Sequence, residues 1–293
     1  MPERKRVNVA KGLTTSTAPK PKLGQHFLAS QPAGQRIVEA LGDLSAATVL
    51  EIGPGRGALT TLLAARARRV IAVELDRVLA AQLRMKFAIY PNVEIIEGDI
   101  LKIELNTVFG PKPGMTRPGL NFTPEPAHVI GNLPYYITSD ILLRLLEYHR
   151  YFSTVVIMVQ KEVADRVAAS PGTRDYGLLS ATAQLYARVE KLFTLPPGAF
   201  APPPKVHSSV VRLTIEPRIE ALQVPEAGFI SFLKLSFGQK RKTLWNNLKT
   251  QYPQKILKEA LAQSGVKPTV RAEALPLAKS AALYRALHDG KLV

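Results

Sequence analysis

From Thr48 onward, short β-branched runs alternate with longer amphipathic stretches, and that rhythm restricts the chain more than any single residue does. Repetition of this kind builds βαβ units, whose parallel strands need helices on both sheet faces. Seven strands are predicted: Thr48–Ile52, Val70–Glu74, Val93–Glu97, His128–Gly131, Thr154–Gln160, Lys191–Leu195 and Ser208–Ile215. Helices are predicted over Ala58–Ala67, Arg77–Phe87, Ser139–Tyr148, Glu162–Ala168 and Leu178–Val189. No crossover helix fits the Pro196–Pro204 loop, so the last two strands should form an antiparallel hairpin in an otherwise parallel sheet.

Past about Pro217 the strand signals stop. Helical patterns take over at Glu226–Phe237, Lys240–Gln251, Gln254–Gln263, Val270–Glu273 and Pro276–Asp289. The expected organisation is a disordered basic arm at residues 1–22, an α/β domain at 23–217 and a small helical domain at 218–293. Asn106–Pro126, rich in Pro, Gly, Thr and Asn with neither period, reads as a long surface insertion before the fourth strand.

With 293 residues and 46% hydrophobic content, the chain can bury a full-sized core. It contains no cysteine, which excludes disulfides, thiolate zinc sites and a cysteine nucleophile. Its five histidines show no helical i, i+4 pairing, so no metal is expected. The formal net charge of +16 favours a polyanionic partner, nucleic acid first. No apolar run is long enough to cross a bilayer and no basic amphipathic helix marks either terminus, so a membrane is not expected. Cysteine usage is compatible with a reducing cytoplasm, the expected location.

Val49-Leu50-Glu51-Ile52-Gly53-Pro54-Gly55-Arg56-Gly57-Ala58 reads as a buried strand entering a glycine-rich turn and then a helix, where a ligand can approach the backbone closely. Glu74 ends the next strand about 20 residues on, the usual place for a carboxylate that accepts ribose hydroxyls. Asp99 ends the third strand and can accept from an adenine amino group. Three successive strand ends would thus line an adenosine. Gly53-x-Gly55-x-x-Ala58 also fits the dinucleotide fingerprint of NAD enzymes, and the glycines alone leave both readings open. No Walker lysine pattern occurs, which disfavours phosphoryl transfer.

The fourth strand runs into Asn132-Leu133-Pro134-Tyr135. Ligands gather beyond the carboxyl ends of strands in open α/β sheets. Here Pro134 fixes its own φ and holds Leu133 extended, the Asn132 amide and nearby carbonyls can accept from an exocyclic NH2, and Tyr135 can stack on a ring. Tyr136 is expected to pack inward. In the predicted helix at Lys240–Gln251, Lys240, Arg241, Lys242 and Lys249 would form a track for phosphates, extended by Lys205, Arg144, Lys161 and Arg166.

Four ordered motifs, Gly24-Gln25-His26-Phe27-Leu28, Gly53 to Gly57, Asn132 to Tyr135, and Phe200-Ala-Pro-Pro-Pro-Lys205-Val-His-Ser-Ser209, together resemble the S-adenosylmethionine-dependent rRNA adenine N6,N6-dimethyltransferases. Within that family the resemblance is to the KsgA type, which modifies adjacent adenosines near the 3′ end of small-subunit rRNA. Phe237 to Leu248 adds to it by resembling the family's basic helix. The resemblance implies a Rossmann-like class I methyltransferase with a seven-stranded, mainly parallel sheet and a small C-terminal helical domain. It implies S-adenosylmethionine held by His26, Leu28, Gly53, Gly55, Glu74, Asp99, Ile100 and Asn132. The target adenine would lie by Asn132, Leu133, Pro134 and Tyr135, with Phe200 on its other face. The implied partner is the immature small ribosomal subunit, and a monomer is expected. His26 stands where the family usually has Asn, and the Asn106–Pro126 insertion is longer than usual. The alternatives are a large-subunit rRNA methyltransferase of the macrolide-resistance type, a non-enzymatic nucleic-acid-binding factor of the same fold, and an NAD-dependent oxidoreductase.

Overall fold

A computed structural model describes residues 25–110 and 125–288. The basic arm at 1–22 and most of the Asn106–Pro126 insertion lie outside the described residues. The strands are β1 (Phe27–Leu28), β2 (Thr48–Ile52), β3 (Arg69–Glu74), β4 (Val93–Glu97), β5 (Ala127–Asn132), β6 (Phe152–Gln160), β7 (Ala187–Leu195), β8 (Phe200–Ala201) and β9 (Ser208–Ile215). Seven of them form one sheet in the order β4-β3-β2-β5-β6-β9-β7. Strands β2 to β6 run parallel, and β9 is antiparallel to both neighbours. The expected antiparallel hairpin is thus present, with its second strand inserted between β6 and β7. The remaining two strands, β1 and β8, form a separate two-residue ladder.

Both faces of the sheet are buried because side chains alternate across it. Val49, Val70, Ile130, Val156 and Met158 join one apolar cluster with Ile37 and Val38 of α1 (Gln31–Glu39) and Leu59 and Leu63 of α2 (Ala58–Ala64). Leu50, Ile71, Val129, Val155 and Ile157 face the opposite cluster. That layer includes α5 (Thr138–Glu147) and α7 (Leu178–Tyr186). Helix α3 (Arg77–Lys86) lies on β3 and β4, α4 (Leu105–Phe109) follows β4, and α6 (Lys161–Val167) follows β6. Helices α8 (Ile219–Leu222), α9 (Glu226–Ser236), α10 (Leu244–Leu248), α11 (Gln254–Gln263) and α12 (Leu277–His288) close the described chain. Phe229 of α9, Leu257 of α11 and Leu283 of α12 belong to the same apolar cluster as the second sheet face.

Two predicted helices end differently. The one expected over Leu178–Val189 stops at Tyr186, and Ala187 starts β7, because Arg188 to Glu190 pair with Thr214 to Arg212 of β9. The one expected over Lys240–Gln251 is a turn followed by α10. Thr243 caps α10, its hydroxyl accepting from the Asn246 amide at 3.3 Å, so Lys240, Arg241 and Lys242 lie ahead of the helix. Helix α1, with Ser30 as its cap, and the short α4 were not anticipated.

Candidate active site

The chain steps from β2 outward through β3 to β4, then returns to β5 on the other side of β2. That reversal opens a crevice between the ends of β2 and β5, the place where open α/β sheets bind ligands. Here it is a cleft lined by residues of β2, β3 and β5 and of the loops that follow them. Gly131 allows the two strands to close up beneath it, since a Cβ there would lie 2.8 Å from the Ile52 carbonyl oxygen.

The floor is built by the turn after β2. Gly55 has φ +59, and a Cβ on it would meet the Phe27 ring at 2.8 Å, so only glycine fits. Its N–H donates to Glu74 Oε2 at 2.9 Å, while Glu74 Oε1 accepts from the Asp76 N–H at 2.9 Å. Glu74 is only 3% exposed, so these charge-assisted bonds fix two loops at once, and each oxygen keeps a further lone pair. Asp76 in turn caps α3 by accepting from Val78 and Leu79 at 2.8 and 3.1 Å. Asp99 Oδ1 accepts from the Leu101 N–H at 3.0 Å, shaping the turn at the end of β4. Gly53, Gly55, Glu74, Asp99, Ile100 and Asn132 all line the cleft, and so does His26. Leu28 is buried and borders the smaller pocket behind Gly53.

The wall is the Asn132-Leu133-Pro134-Tyr135 turn. Asn132 Nδ2 donates to the His26 carbonyl at 2.7 Å, which fixes the side-chain amide and leaves Oδ1 as an acceptor. Leu133 N–H continues the β5–β6 ladder to the Met158 carbonyl at 3.1 Å, and its side chain is buried. The Pro134 carbonyl is already engaged by the Thr138 hydroxyl at 3.0 Å and the Ile137 N–H at 3.3 Å. Between the two backbone carbonyls, Leu133 is therefore the better acceptor for an incoming amino group. The Tyr135 hydroxyl shares a hydrogen bond with Ser208 Oγ at 2.7 Å, and burial raises its pKa above the ordinary phenol value. On its other side the Tyr135 ring stacks against the His26 imidazole, with centroids 5.6 Å apart and planes 30° from parallel.

Two aromatic residues lie in surroundings other than those expected. Phe200 does not line the cleft: it is 3% exposed and packs with Leu195, Ala199 and Val210. Pairing with Leu28 in the β1–β8 ladder turns its ring inward, and alternation then sends Ala201 outward. Tyr136, expected to pack inward, is 62% exposed and borders the mouth.

Two further residues escaped the sequence reading. Leu75, directly after Glu74, is half-exposed on the cleft, and an apolar residue left outside a strand end was its only signal. Glu51, on the strand beneath the glycine turn, is 1% exposed and lines the smaller pocket with Gly53 and Asn132. Burial pushes its carboxyl up to about 7, and its Oε2 makes no hydrogen bond.

Lys205, Lys240, Arg241, Lys242 and Lys249 are all exposed. Lys240 Nζ donates to the Arg174 carbonyl at 2.7 Å, tying the basic turn to the loop before α7. The other basic residues expected to extend this surface are engaged locally. Arg144 donates to the Ile103 carbonyl, Lys161 pairs with Asp165 at 2.7 Å, and Arg166 pairs with Glu162. Among the described residues no cluster of His, Asp and Glu could hold a metal ion, and no helix is long and apolar enough to cross a membrane.

A seven-stranded sheet with one antiparallel strand, a glycine turn after β2 and carboxylates ending β3 and β4 define a class I methyltransferase. Residues 17–289 match the ribosomal RNA adenine dimethylase family. A ribosomal RNA small subunit methyltransferase A from Koribacter versatilis is 62% identical over 273 residues, covering 93% of this chain and 96% of that protein. Among solved structures, a dimethyladenosine transferase from Plasmodium falciparum superimposes with a TM-score of 0.70 at 26% identity, covering 88% of this chain and 96% of that one. The 23S rRNA methyltransferase ErmE does so with a TM-score of 0.63 at 29% identity, over 89% and 99% of the two chains. The chain belongs to the ribosomal RNA adenine dimethylase family, and it is an rRNA adenine dimethyltransferase.

Proposed function

We propose that this enzyme transfers methyl groups from S-adenosylmethionine to N6 of two adjacent adenosines near the 3′ end of small-subunit rRNA, with the immature small ribosomal subunit as its partner. The observation that carries this reading is the pair of acceptors, Asn132 Oδ1 and the Leu133 carbonyl, at the end of β5 beside the acid-lined cleft. Choice of the small subunit over the large one rests on the name of the 62% identical relative, against 29% identity to ErmE.

The cleft residues fit the cofactor. Apolar Leu75 and Ile100 suit the faces of its adenine, Asp99 its amino group and Glu74 its ribose hydroxyls, while the Gly53–Gly55 backbone and His26 border the space left for the methionine part. When bound, S-adenosylmethionine supplies an electrophilic methyl group. The protein's task is then to present the amino nitrogen of the target base.

That nitrogen is a weak nucleophile because its lone pair is delocalised into the ring. Acceptors on its two N–H bonds draw the hydrogens out of the ring plane and bind more strongly as positive charge develops, so they favour the transition state over the ground state. No strong base is needed, since the ammonium product loses its proton readily. After one transfer a single N–H remains, and one of the two acceptors suffices to hold the base for the second. Positioning supplies most of the rate, up to roughly 7–11 kcal/mol in well-aligned systems. Extrusion of the base costs a few kcal/mol, which stacking on Tyr135 offsets by about 1–3 kcal/mol.

RNA is gripped by the exposed Lys240–Lys242 turn and Lys249 of the C-terminal helices, together with exposed Lys205. The test is incubation of the purified protein with labelled S-adenosylmethionine and immature small subunits, followed by nucleoside analysis. N6,N6-Dimethyladenosine in the small-subunit rRNA is expected. Label confined to large-subunit rRNA or to another nucleoside would overturn the assignment.

A further inference from the structure

We propose that Ser208 is a positioning residue for methyl transfer: its hydroxyl pins the far end of Tyr135 and so fixes how that ring meets the extruded adenine. This rests on the cleft being the methyl-transfer site. The Tyr135 hydroxyl and Ser208 Oγ share a hydrogen bond of 2.7 Å between groups 73 residues apart in sequence. Tyr135 belongs to the turn after β5, whereas Ser208 is the first residue of β9.

Both ends of this tether are mounted on rigid backbone. Ser208 is completely buried and pairs on both sides, with Gln160 of β6 and Leu195 of β7. The Lys161 N–H donates to the neighbouring His207 carbonyl at 3.0 Å, which secures the entry to the strand. Groups carried by strands are held more precisely than groups on loops. At the other end, Pro134 has a fixed φ and its carbonyl accepts from the Ile137 N–H at 3.3 Å, so the turn sets the backbone of Tyr135. Strand β6 separates β5 from β9, a gap of two strand spacings or about 9.6 Å. A long aromatic side chain from one strand end and a short hydroxyl from the other bridge it. With its backbone and its hydroxyl both held, the ring cannot exchange rotamers freely.

The pairing also carries an asymmetry. Deleting the Ser208 hydroxyl leaves the phenol without its partner and drives it to turn toward water, whereas deleting both hydroxyls leaves nothing to satisfy. Placement lost with the first deletion should therefore be regained with the second. Independent supports of the sheet would show no such reversal, because their losses add. Ser209 supplies the comparison. It is equally buried, but its Oγ is bonded to Thr194 of the edge strand β7 at 2.8 Å, and alternation sends it to the opposite sheet face from Ser208.

The experiment compares the parent protein with Ser208→Ala, Tyr135→Phe, the double variant and Ser209→Ala. It measures kcat and KM with immature small subunits, the affinity and stoichiometry of S-adenosylmethionine binding by calorimetry, and the melting temperature. Ser208→Ala should lower kcat roughly ten- to a hundredfold, the scale of a small misplacement of the reacting group. Its KM for subunits should stay within about threefold, because phosphate contacts carry the grip on RNA. Cofactor affinity and stoichiometry should match the parent, which separates misplacement from unfolding. Adding Tyr135→Phe to Ser208→Ala should raise kcat at least about fivefold over Ser208→Ala alone. Ser209→Ala should lower the melting temperature while keeping kcat within about threefold of the parent.

Three results would overturn the proposal with the parent active: a parental kcat in Ser208→Ala, a double variant no faster than Ser208→Ala, or an equal loss of kcat in Ser209→Ala. If the parent itself methylates no adenosine, the reading of the cleft fails and this assignment fails with it.

Discussion

Replacing Glu51 by Gln should remove a pH-dependent loss of stability whose size follows from the burial of this one carboxyl. Glu51 is 1% exposed, its Oε2 has no hydrogen-bond partner, and burial raises its pKa from 4.5 to about 7. Between those values the folded protein keeps a proton that the unfolded chain has released. Stability therefore falls as pH rises from 4.5 toward 7, and levels off above it. At 1.36 kcal/mol for each pH unit, the interval corresponds to about 3 kcal/mol. Gln has the shape of the protonated acid and cannot ionise. Urea unfolding of both proteins at several pH values, followed by far-ultraviolet circular dichroism and by the fluorescence of Trp245, would measure the difference. Trp245 is the chain's single tryptophan, and coincident curves from the two probes would support a two-state treatment. The parent should lose about 3 kcal/mol more than Glu51→Gln between pH 4.5 and 8, and the variant should be the more stable protein at pH 8. Parallel stability curves for the two proteins would refute the reasoning.

Reversing Lys240, Arg241 and Lys242 to Glu should weaken RNA binding and flatten its salt dependence by about two to three in log–log slope, with cofactor affinity unchanged. Filter binding across a salt series checks this, and an unaltered slope would show that the basic turn does not meet phosphates. Gly55→Ala should lower cofactor affinity and stability together, by about 1–3 kcal/mol, because position 55 has φ +59 and its new Cβ would meet the Phe27 ring. Calorimetry and thermal unfolding of the variant read both effects, and a neutral substitution would show that the turn is more pliable than its geometry implies.

Most of the sheet was legible because its signals are local. Thr48–Ile52, Val93–Glu97 and Ser208–Ile215 are strands with the bounds that β-branched runs and turn residues indicated, and Gln254–Gln263 is likewise the helix its period indicated. The place of Glu74 and Asp99 on the cleft was legible for the same reason, since an acid at the end of β3 and one just beyond β4 follow from strand position alone. What was not legible depends on partners distant in sequence. The β1–β8 ladder joins residues 27–28 to 200–201, and nothing within either two-residue segment announces the pairing. That pairing decides which way Phe200 points, so the burial of its ring could not be read from its proline-rich surroundings. Likewise Arg188-Val189-Glu190 satisfies a helical period, and only the ladder with β9 makes it strand. The basic segment looked helical because Lys, Arg and Leu are good helix residues, whereas the Thr243 cap sets the start at Leu244, four residues beyond Lys240.

Asn132→Ala tests the central claim most directly, because it removes the Oδ1 that the turn after β5 presents to the target amino group while leaving the His26 and Leu133 carbonyls in place. Single-turnover methyl transfer to immature small subunits should fall by about two to three orders of magnitude, the usual loss when one preorganised hydrogen-bonding group is deleted from an active site. The folded state should persist. Undiminished transfer by the Asn132→Ala protein would contradict the account.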